Sequence, residues 1–89
     1  MKTTIERIGP IQASKYLEGR TRNRQINKRT VDRYAAAMIA DAWELTHQGV
    51  AFDKEGKLFD GQHRMAAIVQ SGKTIEFSVS RYVKSDDVP

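Results

Sequence analysis

Five consecutive residues, Asp60-Gly61-Gln62-His63-Arg64, bring together a carboxylate, a glycine, an amide, an imidazole and a guanidinium. Leu58 and Phe59 before them end a strand, and Asp60-Gly61 makes a sharp turn. Met65, Ala66, Ala67 and Ile68 after them open an apolar helix that belongs in a core. Gln62, His63 and Arg64 then fall in the first turn of that helix, where backbone N–H groups lack intrahelical partners. Those donors and the helix dipole both favour an anion. Gly61 carries no side chain to block close approach. Arg64 can grip a phosphate with its forked guanidinium, and His63 adds a donor. The spacing therefore predicts a phosphate site, most simply for a nucleotide, built from Gly61, Gln62, His63 and Arg64. Gln62 is placed to meet either phosphate or base. The same residues also suit a plain turn, with Asp60 as N-cap, Gly61 easing packing and Arg64 paired with Asp60 or Glu76.

A second cluster lies upstream. Lys15 to Arg33 holds seven basic residues (Lys15, Arg20, Arg22, Arg24, Lys28, Arg29 and Arg33) against Glu18 and Asp32. The chain as a whole carries a formal charge of +4, so the remainder is close to neutral. Such a segment steers polyanions. Arg22, Asn23 and Arg24 are candidates for further ligand contacts, with Asn23 and Arg24 assisting the phosphate site. Arg20, Arg22, Arg24, Lys28 and Arg29 are the candidates for tracking a nucleic-acid backbone. A solvated surface that only aids solubility is the plainer reading of the same charges.

The composition bounds the rest. Eighty-nine residues make one small domain, 1–89, with 84–89 as a polar tail that frays. At 39% hydrophobic and 29% charged, the chain has the balance of a soluble globular protein. There is no apolar run of membrane-spanning length and no secretory signal, so the expected location is the cytoplasm, away from membranes. The absence of cysteine excludes a disulfide framework, a thiolate nucleophile and a Cys-based zinc site. No metal-ligand cluster stands out, although Glu44, Asp53 and Asp60 could converge on an ion in the way phosphodiester hydrolysis requires.

The elements that must position these residues follow in order. Thr3 to Ile8 is β-branched and reads as a strand. Pro10 suits the first position of a helix whose apolar face is Ile11, Ala13, Tyr16 and Leu17, stopped at Gly19. Arg20 to Ile26 has no period and reads as a loop. Asn27 is the N-cap of a second helix running to about Asp41, with Ile26 and Val31 as a hydrophobic staple. Val31, Tyr34, Ala35, Met38 and Ile39 form its inward stripe. Trp43 plugs the core beyond it, and His47 sits in a surface connector. Gly49 to Asp53 is a strand, and Lys54-Glu55-Gly56 is a hairpin loop with Gly56 left-handed. Lys57 to Phe59 is the returning strand. The third helix covers Gly61 to Ser71, stopped at Gly72. Thr74 to Val83 alternates as a strand, with Ile75, Phe77 and Val79 on one face. The order β-α-α-β-β-α-β predicts an α+β domain with a small mixed sheet and three helices.

Asp60-Gly61-Gln62-His63-Arg64 with Met65-Ala66-Ala67 resembles the central motif of the ParB/sulfiredoxin superfamily, often described as a ParB-like nuclease domain. Asn23 to Arg29 resembles the segment leading into that family's second helix. Trp43, Thr46, Gln48 to Asp53 and Gly56 to Leu58 resemble a subgroup found in phages and other mobile elements. The resemblance spans about Ile5 to Val83 and implies the family's fold. It implies binding of a nucleotide triphosphate, CTP or ATP, with Mg2+, and a role in DNA transactions. Sulfiredoxin chemistry is excluded because that family's motif cysteine has no counterpart here. Similar turns occur in free serine kinases, but a base for such a reaction is not placed by the sequence. Members that partition chromosomes carry a more arginine-rich turn and a separate DNA-reading domain, which this chain lacks. Nucleotide or phosphodiester hydrolysis stays open, with Asp60 and His63 as catalytic candidates. Two other readings also stay open: a non-catalytic nucleic-acid-binding protein, and a phage protein that grips a host protein. A homodimer is compatible with any of them.

Overall fold

In the computed structural model the chain is described over residues 2–20, 25–44 and 49–82. The elements are β1 (Lys2–Ile8), α1 (Pro10–Glu18), α2 (Lys28–Ile39), β2 (Val50–Phe52), β3 (Leu58–Asp60), α3 (Gln62–Ser71) and β4 (Ile75–Arg81). Their order is the predicted β-α-α-β-β-α-β. The sheet order is β1-β4-β2-β3, so the chain's last strand is threaded between its first two. β4 runs antiparallel to β1 and parallel to β2, while β2 and β3 form an antiparallel hairpin with a register shift at Ala51/Phe52. The sheet is therefore mixed, as the element pattern requires.

Alternation in β4 builds the sheet side of the core. Phe77 and Val79 are buried, and Ile8, Val50, Phe52 and Leu58 join them. Ala13 of α1, Val31, Ala35 and Met38 of α2, and Met65, Ala67 and Ile68 of α3 close over them. The result is a compact α+β domain. Among the described residues no helix is long and apolar enough to cross a membrane.

Local signals explain most boundaries. Pro10 opens α1, and Asn27 caps α2 by accepting the Thr30 N–H at 3.1 Å. The hairpin between β2 and β3 is tied by Asp53, whose carboxylate accepts from the Glu55 and Lys57 N–H groups at 2.9 and 3.0 Å. Gly56 takes a φ of 82° there, the left-handed form predicted for it.

Four expectations need correction. Ile11 does not face the core and is 77% exposed. At 100° per residue it stands about 170° from the mean direction of Ala13, Tyr16 and Leu17, so it cannot share their face. Ile39 is 59% exposed, because it closes α2 at the margin of the Val31–Ala35–Met38 stripe. α2 ends there, two residues before Asp41, which turns the chain with a φ of 58°. Asp60 is not an N-cap: it pairs with Ala51 as the last residue of β3, and Gly61 caps α3 without any side-chain bond. The tail and the connector holding His47 lie outside the described residues.

Candidate functional site at the start of the third helix

Gly61 sets the geometry. Its φ of 109° belongs to the left-handed half of conformational space, and a Cβ there would meet Val50 Cγ1 at 2.5 Å. Only glycine lets β3 turn into α3 this tightly against β2. The first bond of the helix runs from the Met65 N–H to the Gly61 carbonyl at 3.0 Å. Gln62, His63 and Arg64 thus occupy the first turn, as the sequence predicts, and no described residue accepts from their N–H groups.

These residues line a cleft of about 140 Å³ together with Arg20, Gln25, Tyr34 and Asp60. Arg64 holds its guanidinium carbon 5.9 Å from the centre of the Tyr34 ring. Tyr34 stands edge-on to Trp43 at 5.1 Å, and Trp43 to Phe77 at 5.8 Å. An aromatic series therefore runs from the central strand to the cleft and ends under Arg64. No acid among the described residues pairs with Arg64, and Glu76 is taken up by Arg7 at 3.8 Å. Among the described residues, then, its charge is not neutralised by a carboxylate.

His63 plays a different part from the one its type suggests. Its Nε2 accepts the backbone N–H of Asn27 at 3.0 Å. The ring is thus the neutral form carrying its proton on Nδ1. In this arrangement it offers a donor and has no free lone pair to act as a base. Asp60, exposed at the end of β3, is then the carboxylate that lines the cleft. Gln62 buries its Oε1, to which no described residue donates.

The remaining candidates divide. Arg20 belongs to the cleft wall, and its guanidinium donates to the Leu17 carbonyl at the end of α1 at 2.8 Å. Lys28 and Arg29 are exposed on α2, and Lys28 bonds Asp32 at 3.1 Å. Arg22, Asn23 and Arg24 lie outside the described residues. Glu44, Asp53 and Asp60 do not converge. Among the described residues no three histidine, aspartate or glutamate side chains are grouped to hold a metal. Tyr34 and Gln25 were not legible as cleft residues. Tyr34 follows the core period, and its contact with the third helix is invisible in a linear pattern.

Fold and site define an α+β domain in which the N-terminus of a helix opens onto a small cleft. No family model, curated protein or solved structure matches the chain.

Proposed function

We propose that this protein binds the phosphate group of a nucleotide at the N-terminus of α3. The observation that carries the reading is the row of Gln62, His63 and Arg64 N–H groups, without an acceptor among the described residues, on a cleft that also holds the Arg64 guanidinium, which no described acid pairs. The N–H groups supply donors and the positive end of the helix dipole. Arg64 supplies a forked, charge-assisted contact, and its guanidinium carbon lies over the Tyr34 ring. Arg20, which also lines the cleft, adds positive charge. The likeness of the Asp60–Arg64 turn to the ParB/sulfiredoxin motif supports the same reading, and with it a role in DNA transactions.

Size limits what is enclosed. Pockets that enclose a drug-sized ligand measure about 300–1,000 Å³, whereas this cleft measures about 140 Å³. Phosphates fit inside, and the base lies outside. Selectivity among bases is then weak. Asp60 at the cleft suits a Mg2+ ion arriving with the nucleotide, since that ion is held through one or two carboxylates plus substrate phosphates. Hydrolysis would need Asp60 to orient a water, because the His63 ring is already engaged.

Calorimetric titration with ATP, CTP, GTP and UTP, each with and without Mg2+, tests the reading. Binding of at least one is expected. Absence of heat with all four, in folded protein, would reduce the motif to a structural turn.

A further inference from the structure

We infer that the exposed N-terminal face of α2 docks on the phosphate backbone of duplex DNA, with Arg29 and Arg33 as its principal contacts. α2 begins Lys28-Arg29, with no acidic residue in its first turn. The helix dipole disfavours cations at that end, so the placement opposes folding. Local rules broken in this way are expected where a partner supplies the compensation. Asp32 is the one acid in the helix, and it is already committed to Lys28 Nζ at 3.1 Å and Gln70 Nε2 at 2.9 Å. Arg29 and Arg33 stand one turn apart, about 6 Å between their Cβ atoms by helix geometry. Both are exposed, and neither meets an acid among the described residues.

The face is positive, regular and free of stacking groups. Tyr34, the aromatic residue of α2, turns inward to Trp43 and Arg64. Single strands are held by stacking on aromatic side chains, which this face does not offer. The major groove of B-DNA, about 12 Å wide, admits a helix, whereas that of A-form RNA is deep and narrow. Backbone charge and helical shape together favour duplex DNA. The inference does not depend on the cleft at α3.

Fluorescence anisotropy of the full chain with a labelled duplex of about 20 base pairs, at about 50 and 200 mM salt, tests it. Binding at the lower salt should weaken steeply at the higher. The double variant Arg29→Ala/Arg33→Ala should bind about tenfold more weakly or worse, and its logarithmic salt slope should shrink by about 2, near 0.9 for each lost phosphate contact. Arg29→Lys/Arg33→Lys should keep most of the affinity, because backbone contacts need charge rather than shape. Arg7→Ala removes a cation that is paired with Glu76 and should change little. No binding at low salt would overturn the inference, as would an unchanged slope in the double alanine variant. Equal loss in Arg7→Ala, or an equally tight single strand of the same sequence, would overturn it too.

Discussion

Asn27, the N-cap of α2, donates its backbone N–H to Nε2 of His63 in the first turn of α3, at 3.0 Å and across 36 positions of sequence. Two helix N-termini are thereby fixed to each other by one imidazole. The contact holds α2, and Tyr34 with it, beside the cleft that Arg64 lines.

His63→Ala removes that acceptor. A net loss of about 1 kcal/mol is expected for one neutral hydrogen bond. Chemical denaturation should show the lower midpoint, and amide exchange should be fastest to rise at Asn27. Exchange that rises equally along α2 and α3 would mean that the imidazole stabilises the domain without acting at this junction.

Gly61→Ala forces a Cβ to within 2.5 Å of Val50 Cγ1 at a φ of 109°. Left-handed strain and overpacking each cost about 1–3 kcal/mol. A domain of this size is stable by roughly 4–13 kcal/mol, so the variant should melt ~10 °C lower or more. A melting temperature within two or three degrees of the wild type (about 0.5 kcal/mol) would show that the turn can relax.

Glu6 and Arg81 form a two-pronged pair at 2.9 and 3.1 Å, with the guanidinium carbon 4.5 Å from the centre of the Phe52 ring. The hydrogen-bonded Arg81 holds the Glu6 carboxyl below its ordinary value of 4.5, against the opposing effect of burial, and Thr4 adds a further bond. A carboxylate depressed in the folded state stabilises it fully above the unfolded value and loses that contribution as pH falls through the folded one. Melting temperature should therefore decline as pH drops below about 4.5. Glu6→Gln should start lower at neutral pH and decline less. Parallel profiles for the two proteins would assign the acid sensitivity elsewhere.

Gln62 keeps its Oε1 buried without a described donor. Leaving such an acceptor unsatisfied costs about 1–3 kcal/mol, part of which an apolar replacement recovers. Gln62→Met should raise the denaturation midpoint by an amount equivalent to about 1 kcal/mol. A lower midpoint would show that the amide makes a contact worth more than its burial costs.

The element order was legible because punctuation residues are frequent and unambiguous. Gly9-Pro10, Asn27, Gly56, Gly61 and Gly72 each mark a boundary by a residue type whose turn or capping preference can be read locally. Asp60 was misread as a cap because its type suits one, while its pairing with Ala51 depends on the register of a hairpin. Ile11 was misplaced because apolar type was weighed above helical angle. The first turn of α3 was legible from spacing alone. The rest of the cleft was not: Arg20, Gln25 and Tyr34 reach it from two other segments, and only the packed structure brings them there. The engagement of His63 with Asn27 is likewise a tertiary fact, and it changes what chemistry the ring can offer.

The most direct test compares wild type with Arg64→Ala by calorimetric titration with each nucleoside triphosphate and Mg2+, with circular dichroism as the check on folding. Arg64 is half-buried over Tyr34 and outside the apolar core, so the variant should fold. The account predicts binding by the wild type and a loss of about tenfold or more in the variant, equivalent to about 1.4 kcal/mol. Equal affinity in the two folded proteins would contradict a phosphate site at the start of α3.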